Sequence, residues 1–308
     1  MNELESSARA VFGELWHKYV AVVPDASRVE ESLRTRGDRW REDHVAFRTL
    51  PGANTGMHIL QSVFECFGYT REDDYFFGEK RLRAFWMQPP NASRKLCADV
   101  LPKIFISELV TDKFSAGFRQ VVASATAQVV SSPVQRIRAI AGKAAAGDVV
   151  ARKELEDACV AFLGGDTLLT RPRVSEYETL RKESECAAWT LTFGFRVNHF
   201  TVSAYLMRSF RNIHQLNHHI EKELRTPMNN SGGLTNGTPD LKLEQSSTLA
   251  AEIQVLLRDG VKNVPYAFVE FAFRHPLPNK SDDGLWDSYY QGFVTNNADK
   301  IFESTNTR

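Results

Sequence analysis

Three short apolar segments of this chain each carry one side chain that a metal ion accepts as a ligand, and few folds bring three such segments together. They are 43–48 (DHVAFR), 197–202 (VNHFTV) and 266–274 (YAFVEFAFR). All three read as strands, being short, apolar and rich in β-branched or aromatic residues. Side chains alternate between the faces of a strand. His44, Ala46 and Arg48 therefore share one face, opposed by Val45 and Phe47. His199, Thr201 and Ser203 oppose Phe200 and Val202, and Phe268, Glu270, Ala272 and Arg274 oppose Val269, Phe271 and Phe273. Each ligand sits on the smaller or more polar face, and the other face is apolar enough to pack on helices. Two histidines and one carboxylate form the ligand set of a non-haem Fe(II) oxygenase.

Each of these residues also has an ordinary structural reading. A histidine in a strand commonly serves as a hydrogen-bonded core residue. Glu270 is the more constraining of the three, because an unpaired buried carboxylate is costly. It either pairs with a cation such as Arg274 or binds metal. Arg48 lies four residues after His44 on the same face. Four strand residues span about 13 Å, and an arginine leaning back leaves roughly 6–8 Å between guanidinium and metal. A short dicarboxylic acid fills that gap, chelating the metal at one end and meeting Arg48 in a bidentate pair at the other. The alternative is an ion pair of Arg48 with Asp73 or Asp74. A rival metal site, His214 with His218 beside His219, has helical i, i+4 spacing. Its surroundings (NIHQLNHH) are very polar and read as a solvated helix face.

The 38 basic and 38 acidic side chains cancel. That balance gives no electrostatic case for nucleic acid or an anionic membrane, and no apolar run is long enough to span a bilayer. Cys66, Cys97, Cys159 and Cys186 form no CxxC pair. With an acidic N-terminus unlike a signal peptide, this points to a reducing, cytoplasmic compartment.

Along the chain, the spacing predicts a helix over 4–21, a strand over 43–50, a helix over 56–67 stopped by Gly68, and strands over 81–88 and 103–110. Residues 113–190 are rich in Ala, Lys, Arg and Glu and read as a mostly helical insertion. Strand, helix and strands then restart: 195–203, a long helix over 207–224, and strands over 249–257 and 265–274. The tail from Gly284 carries Trp286, Tyr289, Tyr290, Phe293 and Phe302, aromatics that predict docking onto the body. The expected organisation is a single catalytic domain over 1–308. It comprises a first βαβββ-like module (1–112), the insertion (113–190) and a second module with the docked tail (191–308).

Several ordered stretches together resemble the 2-oxoadipate dioxygenase/decarboxylase family. They are DHVAFRT (43–49), LPKIFISEL (101–109), AAWT (187–190), NHFT (198–201), LEQSST (243–248), VEFA (269–272) and NADKIFES (297–304). The resemblance implies an α+β fold of vicinal-oxygen-chelate type, with βαβββ modules curling a mixed sheet around one Fe(II). It implies His44, His199 and Glu270 as the metal ligands and Arg48 as the substrate-binding arginine. A C-terminal loop near Val294 and Thr295 would hold substrate as well. Gln245, Ser246 and Ser247 are candidates for orienting the acid, with a capped turn as the structural alternative. The implied reaction converts 2-oxoadipate and O2 to 2-hydroxyglutarate and CO2, as in lysine catabolism. A metal-dependent isomerase or lyase of the same fold, and a non-catalytic binding protein, are the alternatives.

Overall fold

The structure is a computed structural model that describes residues 3–165, 168–295 and 300. Two helices, α1 (Glu3–Val20) and α2 (Pro24–Thr35), lead into β1 (Glu42–Thr49), α3 (Met57–Glu65), β2 (Thr70–Phe77), β3 (Leu82–Gln88) and β4 (Lys103–Leu109). Five helices follow: α4 (Ala116–Ala127), α5 (Val134–Ala145), α6 (Val149–Gly164), α7 (Val174–Arg181) and α8 (Glu185–Phe193). The chain then returns as β5 (Val197–Ser203), α9 (Ile213–His218), β6 (Asn236–Thr238), β7 (Leu243–Ser247), β8 (Glu252–Leu256), β9 (Val261–Pro265) and β10 (Phe268–Arg274). No described helix is long and apolar enough to cross a membrane.

Eight strands form one sheet in the order β2-β3-β4-β1-β5-β10-β7-β6. The order is a repeat. β1 pairs in parallel with β4, the last strand of the first βαβββ run, and β5 pairs in parallel with β10, the last of the second. The two first strands, β1 and β5, meet antiparallel at the centre. β8 and β9 form a separate hairpin inserted before β10. The apolar face of the central strands packs on helices: Phe200 lies edge-on to Trp16 and Tyr19 of α1, and Phe47 lies against Phe64 of α3.

Local signals account for most elements. α1 places Ala8, Val11, Leu15 and Tyr19 on its buried side, with acids in the first turn and His17 and Lys18 in the last. α6 is capped by Asp148, which accepts from the Val150 and Ala151 amides. Gly194, with φ of 64°, turns the chain out of α8 into β5.

Four elements differ from the sequence expectation. α2 is absent from the sequence expectation, yet Pro24 starts it and Ala26, Val29 and Leu33 bury one narrow stripe. β2 is an almost wholly exposed strand, so it lacks the apolar alternation that announces a strand. The long helix expected over 207–224 begins only at Ile213. Asn212 is extended there and caps the helix by accepting from the Gln215 amide, and residues 219–223 continue as a π turn. β7 (LEQSS) is polar in sequence but buried throughout, because it flanks the polar face of the sheet. The docked tail is as expected for Trp286, Tyr289 and Phe293, which are buried, while Tyr290 is half-buried. Phe302 and most of the 297–304 stretch lie outside the described residues.

Candidate metal centre

The site grows out of the central antiparallel pair. Val45 faces Phe200, with His44 opposite Thr201 on one side and Ala46 opposite His199 on the other. The two strands are thus related by a local two-fold, and the two histidines occupy equivalent positions. Each strand also carries a bulge. Asp43 is the extra residue between the Glu42 and His44 pairs, and Asn198 the extra residue between the His199 and Val197 pairs. A bulge re-aims the side chain it carries. Here both turn back onto the neighbouring histidine: Asp43 Oδ1 lies 3.0 Å from His44 Nδ1, and Asn198 Oδ1 lies 2.9 Å from His199 Nδ1. With the oxygens accepting, each Nδ1 carries the proton and each Nε2 is left as an acceptor, that of His44 lying 3.0 Å from the Thr201 hydroxyl. A carboxylate or amide oxygen on Nδ1 is the arrangement that orients metal-binding histidines.

Glu270 on β10 faces Thr201 across the parallel pair. In the first module, the place equivalent to Glu270 falls on Phe105, which faces Ala46 across β4. The two-fold is therefore broken, with a carboxylate on one side and an aromatic wall on the other. Phe293 from the docked tail extends that wall, its ring 4.8 Å from both Phe105 and His44.

The ligand atoms of His44, His199 and Glu270 lie within 4.8 Å of one another, and all three residues are buried. His199 Nε2 is 3.0 Å from Glu270 Oε2, and His44 Nε2 is 3.7 Å from Glu270 Oε1. Gln245 Nε2 donates to Glu270 Oε1 at 2.6 Å, while its own Oε1 is buried with no partner. Burial pushes the His199 imidazole below its ordinary pKa, so the ring is neutral, as a ligand must be. Burial alone would raise the Glu270 carboxyl, but the two histidines and Gln245 hold it lower, in its anionic form. Arg274 does not neutralise Glu270. It pairs with Asp43, donating from Nε at 2.6 Å and Nη2 at 2.8 Å. A carboxylate this buried, with two imidazole nitrogens within 3.7 Å, calls for a cation. Two nitrogens and one oxygen within this spacing fit a divalent first-row metal. Among the described residues this is the one cluster of three metal-binding side chains. His214 and His218 are exposed, and buried His219 is engaged by Ser32 and Glu223.

Arg48 is buried on the His44 face. Helix α8 reaches it, with the Trp189 ring 5.5 Å from the guanidinium carbon and Glu185 at 3.9 Å. The alternative partners are engaged elsewhere: Asp74 pairs with Arg71, and Asp73 accepts from Trp86. Ser247 faces Glu270 across the β7–β10 pair and its carbonyl accepts from the Asn229 amide. Gln245, Ser246 and Ser247 are thus strand residues and not a capped turn. Ser246 lies on the opposite face, donating to Asn217. Val294 and Thr295 are half-buried and directly follow Phe293. The residues that sequence reasoning missed are Asp43, Asn198, Lys103, Trp189 and Glu185. The Asp-His and Asn-His dipeptides were the available signal for the first two.

The family model for 2-oxoadipate dioxygenase/decarboxylase matches residues 14–289. The chain belongs to the 2-oxoadipate dioxygenase/decarboxylase family. Members similar to it include the chloroplastic 2-oxoadipate dioxygenase/decarboxylase of Arabidopsis thaliana, 38% identical over 98% of this chain and 78% of the relative. The chloroplastic/amyloplastic enzyme of that name from Oryza sativa subsp. japonica is 33% identical over 98% and 79%. A crystal structure of hydroxyglutarate synthase in complex with 2-oxoadipate from Oryza sativa superimposes with a TM-score of 0.82. It is 31% identical and covers 98% of this chain and 93% of that one. A glyoxalase-superfamily protein from Ralstonia eutropha, 21% identical over 87% and 83%, matches with a TM-score of 0.75. That likeness supports the vicinal-oxygen-chelate architecture alone, and the family membership makes the chain an oxygenase/decarboxylase-type enzyme.

Proposed function

We propose that this protein binds Fe(II) through His44, His199 and Glu270 and converts 2-oxoadipate and O2 to 2-hydroxyglutarate and CO2. The carrying observation is the convergence of those three buried donors on a face that also holds Arg48, four residues along β1 from His44. The solved rice relative is described in complex with 2-oxoadipate, which supports the substrate class. When bound, Fe(II) supplies chelation of the 2-oxo acid and activation of O2. The reaction balances without a second substrate: the six-carbon diacid gains two oxygens, loses CO2 and leaves a five-carbon hydroxy diacid.

The chain's own residues do the positioning. Asp43 and Asn198 fix the two imidazoles. Gln245 holds Glu270 Oε1, leaving Oε2 toward the histidines. Arg48 meets the far carboxylate, its guanidinium confined by Trp189 and Glu185. Ser247, beside Glu270, and the backbone at Val294 and Thr295 close the pocket around the acid. Phe105 and Phe293 exclude water from the His44 side.

A role in lysine breakdown follows from this substrate. All four cysteines are free, which fits a reducing compartment such as the cytosol expected from sequence; the plant relatives are chloroplastic. Oxygen uptake decides the reaction class. Protein loaded with Fe(II) should consume O2 and release one CO2 per 2-hydroxyglutarate formed. Turnover of a 2-oxo acid without O2 uptake would instead establish an isomerase or lyase.

A further inference from the structure

Arg274 is among the largest fully buried side chains, and nothing in the reaction above uses it. Its guanidinium offers five N–H donors in a planar fork, and four hydrogen bonds leave it in two directions. Nε and Nη2 grip both oxygens of Asp43. Nη1 donates to two backbone carbonyls of the tail, Tyr290 at 2.7 Å and Gly292 at 2.9 Å. The same guanidinium carbon lies 5.5 Å from the ring of Phe293.

Each direction ends at the metal centre. Asp43 Oδ1, held by Arg274, is the acceptor that orients His44. The carbonyls of 290 and 292 set the backbone that places Phe293 near-perpendicular to the His44 ring, 4.8 Å away. One planar group thus holds two neighbours of one metal ligand, Asp43 and Phe293, and the fork geometry permits it where a lysine ammonium does not.

We propose that Arg274 is a positioning residue that couples the orientation of the metal ligand His44 to the docking of segment 290–295. Loading the metal fastens the tail, and undocking the tail loosens the metal. The proposal rests on reading His44, His199 and Glu270 as a metal site. Because coupling between two equilibria is reciprocal, metal must shift the tail's equilibrium away from the open form by the factor by which tail docking tightens metal.

The test uses Co(II) alone as probe, with amide hydrogen exchange in 290–295 and the Co(II) absorption spectrum as readouts. In the wild-type protein, Co(II) should slow exchange in 290–295 by about tenfold or more. Arg274→Lys keeps the charge beside Asp43 but cannot bridge, so the exchange response should vanish and Co(II) affinity fall by about 10–100-fold, the usual effect of losing a ligand-orienting partner. If Arg274→Lys does not fold, Asp43→Asn serves. Asparagine still accepts from His44 but loses the ion pair, so exchange in 290–295 should quicken although Asp43 does not touch that segment. Co(II) binding to the wild-type protein with no change of exchange overturns the coupling and leaves the metal reading intact. Absence of Co(II) binding overturns both. Unchanged affinity and exchange in Arg274→Lys also overturns the proposal. No readout involves turnover, so a failed 2-oxo acid assay leaves this test standing.

Discussion

Replacing Arg48 with methionine keeps the length and apolar stem of the side chain and removes the guanidinium. Arg48 is 3% exposed, so the far carboxylate of a bound diacid is withdrawn from water when it meets this group. Hydrogen bonds to a charged partner contribute about 1.5–3 kcal/mol, which is roughly a 10- to 150-fold loss of binding. Glu185, 3.9 Å from the guanidinium in the native protein, would then face the substrate carboxylate without its counter-charge, which pushes the loss toward the upper end. Arg48 is remote from the reacting carbon in the proposed pose, so the loss belongs in KM and not in kcat. The assay is oxygen uptake at fixed Fe(II), comparing 2-oxoadipate with 2-oxohexanoate, which has the same chain length but no far carboxylate. The wild-type protein should prefer the diacid, and Arg48→Met should erase that preference while sparing the monoacid. Equal losses on both substrates, or an unchanged KM for the diacid, would refute the role given to Arg48.

His199→Ala should abolish metal binding. Metal at a hundredfold excess over Kd stabilises a protein by about 2.7 kcal/mol, so the wild-type thermal transition should rise on metal addition and the variant's should not. Asn198→Ala removes the oxygen that orients His199. Metal affinity should weaken about 10–100-fold at unchanged fold, and calorimetry showing wild-type affinity would disprove the orienting role. Lys103 gives a pH signature. Burial, and next the Arg274 charge, push its ammonium from 10.5 down to about 8. Between those values the unfolded chain binds a proton that the folded protein does not, so folding stability gains up to about 3 kcal/mol as pH rises through that window. Lys103→Met should flatten the rise, measured by denaturant unfolding from pH 7 to 10.5; an identical pH profile in the variant would contradict it.

The candidate metal ligands were legible because strand alternation is a local property. An apolar strand interrupted by one histidine or glutamate shows its odd residue on a known face. Arg48 was legible for the same reason, by counting from His44. Gln245 and Ser247 were visible only as polar residues, because a strand lining a polar interior loses the alternation that marks a strand. α2 was hidden by its narrow buried stripe, and β2 by the exposure that leaves it almost no apolar face.

What the sequence determined alone was which side chains could bind metal and which face of each strand they occupy, since both follow from residue type and a two-residue period. The tertiary structure decided how those faces meet. Only the antiparallel register of β1 on β5 makes the histidines equivalent, and only the paired bulges turn Asp43 and Asn198 onto them. Register and bulges depend on hydrogen bonds between strands 150 or more positions apart, which local patterning does not encode. The same holds for Arg274. Its side chain shares a strand face with Glu270, but the partner it takes is Asp43, 231 residues away. In the folded chain β10 lies beside β5, and β5 lies beside β1.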